Sequence, residues 1–61
     1  MNARRAEILA LLTKRPRRLD WLMARYGLSK HSIMRDIGIL RRGRVIDTVQ
    51  AGRVTWYELV N

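Results

Sequence analysis

Gly27-Leu28-Ser29-Lys30-His31-Ser32-Ile33-Met34-Arg35-Asp36-Ile37-Gly38-Ile39-Leu40 is the most informative stretch of this chain, and its first three residues read as a joint. Glycine permits the positive φ that ends a helix, leucine can plug a corner between two helices, and the serine oxygen can accept from the free amides of the next turn. After the joint, Ile33, Ile37 and Leu40 recur at i, i+4 and i+7. That spacing predicts a helix from Lys30 to about Arg42, with Gly43 expected to stop it. Before the joint, Leu19, Leu22, Met23 and Tyr26 share one helical face, with Asp20, Trp21, Ala24 and Arg25 turned away and Gly27 at the C-terminal end. Two helices so close together form a helix-turn-helix signature.

Working outward, Ile8, Leu9 and Leu12 define an apolar stripe over residues 3–14, a first helix that must end before Pro16. The basic run Lys14-Arg15-Pro16-Arg17-Arg18 is read as a solvated turn. Downstream, Val45 to Val49 and Val54 to Val60 alternate with period two around Gln50-Ala51-Gly52-Arg53, which predicts a β-hairpin. The expected fold class is therefore α+β, mostly α: a winged helix-turn-helix, three helices followed by a two-stranded β-hairpin wing at about 45–60. It is expected to fill residues 1–61 as a single domain.

Composition limits the chemistry. A chain of 61 residues buries only about 60% of its unfolded surface, which leaves room for one core. It has no cysteine and one histidine, His31, so disulfides, thiolate metal sites and imidazole clusters are excluded. Five carboxylates are scattered singly, and no nucleophile-base set or glycine-rich phosphate loop is present. The expectation is no enzyme activity, no metal and no cofactor. The longest aliphatic run, Ile8 to Leu12, is far shorter than the roughly 20 residues of a membrane span. Thirteen Lys+Arg against five Asp+Glu give +8, while 48% hydrophobic residues are too many for a disordered basic tail. A folded cation of this size suits a polyanionic partner.

The quoted stretch resembles the DeoR-type winged-helix DNA-binding domain, whose pattern runs roughly G-V-S-x-x-T-I-x-R-D-L-x-x-L. Arg4, Ile8, Leu9 and Leu12 match its first helix, and Leu19 and Leu22 its second. The resemblance covers most of the chain and implies a winged helix that binds DNA. It departs in two places in this sequence. The family has glycine four positions after the leucine matched by Leu40, where this chain has Arg44 with Gly43 one place earlier; where the family favours alanine, it has Met23. The family's sugar-phosphate effector domain has no counterpart here, so a stand-alone domain without a small-molecule effector is expected.

On the third helix His31, Arg35, Gly38 and Arg42 lie at i, i+4, i+7 and i+11, opposite the apolar face. A major groove about 12 Å wide admits a helix, and the Arg35 fork can pair with guanine O6 and N7. Lys30, His31, Ser32 and Met34 are candidates for base edges or a thymine methyl, Gly38 for close backbone approach, and Arg41 and Arg42 for phosphates. In the wing, Gln50 and Arg53 are candidates for a minor-groove contact. Arg17 and Arg18, before the second helix, are assigned to phosphates. Trp56 shares the wet face of the last strand with Val54 and Glu58, and Trp21 points away from the core. Either tryptophan is a candidate surface for self-association on DNA of a chain that is monomeric when free. The sequence therefore reads as a sequence-selective double-stranded DNA-binding protein, a small transcriptional regulator acting by occupancy in a prokaryotic or viral cytoplasm, associated with the nucleoid. An excisionase-like DNA-bending factor and a winged-helix protein-interaction module are the alternatives.

Overall fold

Residues 3–60 are described by a computed structural model; Met1, Asn2 and Asn61, assigned above to the domain, lie outside the described residues. The element order is α1 (Ala3–Lys14), β1 (Arg17–Arg18), α2 (Leu19–Tyr26), α3 (Lys30–Arg42), β2 (Ile46–Ala51) and β3 (Val54–Leu59). Helix spacing and strand alternation meet in one core. Ile8 and Leu12 of α1, Leu22 of α2, Ile33, Ile37 and Leu40 of α3, Ile46 of β2 and Tyr57 of β3 are all buried together. Met23, Leu28, Leu59 and other half-buried residues pack around them, so Leu28 does plug the corner expected of it.

The two joints are built differently. Gly27 adopts φ +61° and the Leu28 amide donates to the Met23 carbonyl, closing α2 with a left-handed glycine. Ser29 caps α3, its Oγ accepting from the Ser32 amide at 3.3 Å. The far end of α3 falls where expected, with Gly43 following Arg42 as the C-cap residue, but the left-handed residue is the next one. Gly43 stays in the right-handed region at φ −78°, and Arg44 takes the left-handed one at φ +58°. The Arg44 amide donates to Arg41 O (2.9 Å) and the Val45 amide to Leu40 O (3.3 Å), the pair of bonds that defines a Schellman ending. Arg44 occupies the position at which the DeoR-type pattern has glycine.

The hairpin forms as expected with a shifted tip. Gln50 and Ala51 belong to β2, leaving the two-residue turn Gly52-Arg53 with Gly52 at φ +61°, the sign that fits strand twist. The basic run expected as a turn instead contributes a third strand. β1 pairs antiparallel with β3, Arg17 opposite Tyr57 and Arg18 opposite Trp56, so the sheet order is β1-β3-β2. Two charged residues carry no strand propensity of their own; β3 supplies the partner groups that make them one.

Candidate nucleic-acid interface

Helix α3 is held from behind. Asp36, 3% exposed, accepts from the Nε of Arg4 and, at 3.2 Å, from Nη1 of Arg5, both on α1. The bond to Asp36 also raises the pKa of the Arg4 guanidinium, so this arginine stays charged across the accessible range. From its buried position Asp36 links α1 to α3.

With Ile33, Asp36, Ile37 and Leu40 buried, α3 presents Lys30, His31, Met34, Arg35, Ile39, Arg41 and Arg42 to solvent. Met34, Arg35, Gly38, Ile39 and Arg42 line a shallow hollow on that face. Met34 and Ile39 are 46% and 45% exposed, so the basic face has an apolar floor suited to a methyl group or the flat edges of bases. The sequence reading missed Ile39; its signal was an isoleucine outside the i, i+4, i+7 core stripe. A Cβ built on Gly38 meets nothing within 4 Å, so no contact inside the chain requires glycine there. Ser32 faces the cap, where Ser29 Oγ donates to its hydroxyl at 3.2 Å.

The other assigned residues are less uniform. Arg53 is exposed at the tip, and Lys30, Arg18 and Asp20 share a cleft with it between the wing and the starts of α2 and α3. Gln50 is engaged within the wing: its Nε2 donates to Gly52 O at 3.1 Å and its Oε1 accepts from Thr55 Oγ1 at 2.9 Å. Arg17 donates to Leu11 O at 3.4 Å and its guanidinium lies 4.4 Å from the centre of the Trp21 ring. Arg18 pairs with Asp20 at 2.9 Å and lies 5.9 Å from the Trp56 ring. Trp21 is open as expected, with Arg25 5.6 Å from its ring. Trp56 is a correction: it is half-buried, because β1 places Arg18 directly across from it.

Three helices with a helix-turn-helix and a β-hairpin wing define this chain as a winged helix-turn-helix. The most informative comparisons agree. HlyU from Vibrio cholerae, in its reduced form, superposes with a TM-score of 0.90 at 27% identity, covering 98% of this chain and 63% of that one. The transcriptional regulator HlyU from Vibrio vulnificus gives 0.88 at 27% identity over 98% of this chain and 62% of that one. A homodimeric winged helix-turn-helix DNA-binding domain from Mycobacterium bovis, a possible ArsR-family regulator, gives 0.88 at 22% identity over 98% and 56%. This chain thus spans a little under two thirds of the HlyU chains it resembles. No protein-family model and no curated protein matches the sequence. The shared fold is that of winged-helix transcription regulators broadly, and the comparisons do not single out the DeoR type.

Proposed function

We propose that this chain is a sequence-selective DNA-binding domain of a small transcriptional regulator, acting by occupying its site in a prokaryotic or viral cytoplasm. The observation that carries the reading is the outward face of α3: cationic, apolar at its floor, and relieved of a side chain at Gly38 with no internal need for it. Glycine inside a helix costs about 1 kcal/mol relative to alanine, so a partner approaching the backbone is the natural reason for it. The likeness to HlyU supports the same reading. In it Arg35 takes a guanine edge, Lys30, His31 and Met34 take neighbouring bases, Arg41 and Arg42 hold phosphates, and Arg53 follows the wing along the backbone. Arg17 and Arg18 reach phosphates through the N–H groups their stacking leaves open. The residue-by-residue match to the DeoR-type pattern is retained as a finer proposal, supported by the left-handed Arg44 at the family's glycine position. The reaction class is none; binding alone is the activity.

Selection from random duplexes at two salt concentrations tests this. An enriched motif whose affinity falls steeply with salt is expected. Binding without enrichment would indicate an architectural factor, and no binding a protein-interaction module; either would overturn the reading.

A further inference from the structure

Three of the five carboxylates are paired: Glu7 with Arg25, Asp20 with Arg18, and Asp36 with Arg4 and Arg5. The other two, Asp47 and Glu58, have no ion pair among the described residues, and the strand register sets them directly opposite each other on β2 and β3. Like charges in that arrangement repel. Side-chain alternation puts them on the outer face of the sheet, the same face as Val49 and Trp56, which are also opposite each other, and as Arg18, opposite Trp56 from the other side. Beyond Arg18 the face runs into a hollow formed with Arg15, Pro16 and Trp21. Asp47 and Glu58 thus form one acidic corner of the sheet face, Arg18 lies at the diagonally opposite corner across Trp56, and Val49, 39% exposed, flanks Trp56 on the side away from Arg18.

A face with acids at one corner, arginine at the opposite corner and an indole between them is complementary to itself turned by half a revolution. We infer that the outer face of the sheet docks a second copy of this chain, Asp47 and Glu58 of each copy meeting Arg15 and Arg18 of the other, with Trp56 packed near the axis and Val49 beside it. Such an isologous contact satisfies both charge sets at once. Its size sets its strength. Two six-residue strands and the short β1 present a patch about 20 Å by about 10–14 Å, well below the roughly 800 Å² per partner of a stable interface. The pairing is therefore weak and reversible in free solution, where two +8 bodies also repel.

The test uses the free protein, so its failure is distinguishable from failure of the DNA reading. In sedimentation over a concentration series, with the Trp56 indole resonance followed by NMR, the average mass is expected to rise and the resonance to shift together. Asp47→Lys with Glu58→Lys is expected to abolish association. So is Arg15→Glu with Arg18→Glu, although two reversals of two units each lower the net charge from +8 to +4 and weaken general repulsion. An equimolar mixture of the two double variants is expected to associate again. Val49→Arg, at an exposed position of β2, supplies a second disruption should either pair fail to fold. A mass independent of concentration, association untouched by Asp47→Lys with Glu58→Lys, or a mixture of folded variants that stays monomeric would each overturn the inference.

Discussion

Arg44 holds a left-handed backbone conformation at the end of α3, and an L-residue with a Cβ spends about 1–2 kcal/mol there relative to the right-handed region. Glycine would relieve that strain while giving back part of the gain through a more mobile unfolded chain. Arg44→Gly is therefore expected to raise unfolding free energy by about 0.5–1 kcal/mol, read from the midpoint of urea denaturation; a lower midpoint would show that the arginine side chain contributes more than its backbone costs. The neighbouring Gly43, at φ −78°, needs no glycine. Sequence reading put the helix stop at Gly43 because glycine is the usual occupant of such a stop, and the strained arginine beside it leaves no local mark. Gly38 presents the opposite case, a glycine with open space around it. Gly38→Ala is expected to stabilise the fold by about 0.5–1 kcal/mol in the same denaturation measurement. Its DNA affinity should nonetheless fall about tenfold, or about 1.4 kcal/mol. Unchanged affinity would remove close backbone approach from the reading.

At the level of elements, the pose of α3 depends on a contact on the side away from its solvent-exposed face. Asp36 is buried while its two arginines keep 36% and 23% of their side-chain surface exposed, so solvent screens the pair in part. Asp36→Ala is expected to lower stability by about 1–3 kcal/mol, short of the roughly 3–5 for a fully buried pair. It should also loosen selectivity in the duplex selection; retained stability and motif would make the link incidental. Tyr57 on β3 and Tyr26 on α2 carry a pH signature. Burial raises the Tyr57 pKa, with Arg41 opposing, and burial followed by the bond to Glu7 raises that of Tyr26. The folded chain thus keeps these protons to higher pH than the unfolded one, whose tyrosines lose theirs near pH 10. The stabilisation is complete below about pH 10 and is lost as pH rises through the folded values. Unfolding midpoints followed with tyrosinate absorbance should decline above that point, and a flat profile would contradict it. The elements themselves were legible where periodicity is strong: Ile33, Ile37 and Leu40 marked α3, and Gly27 with Ser29 marked the joint. β1 was not, because Arg17 and Arg18 become a strand only through β3, and the burial of Trp56 follows from the same non-local pairing.

For the whole molecule, the basic balance of the composition is distributed unevenly. Lys30, Arg35, Arg42 and Arg53 lie toward the α3 face and the wing tip, while the unpaired acids Asp47 and Glu58 lie on the outer sheet face. In the proposed mode of binding, one helix and one wing cover a short stretch of duplex, and a longer unique site needs two copies about one helical turn apart. DNA phosphates neutralise the repulsion between two cations bound side by side, so a sheet-face contact that holds two free chains only weakly gains effect once both sit on one duplex. Trp56 lies at the centre of that contact, on the side of the sheet away from Tyr57 and the core. Trp56→Ala is accordingly expected to leave the affinity for a single half-site within about threefold while reducing cooperativity on a two-half-site duplex by about tenfold, each interval corresponding to roughly 0.7 and 1.4 kcal/mol. Titration of one- and two-half-site duplexes separates the two quantities. Equal losses on both duplexes would assign Trp56 to the stability of the wing, and strictly independent binding by the unaltered chain would remove pairing from the mechanism.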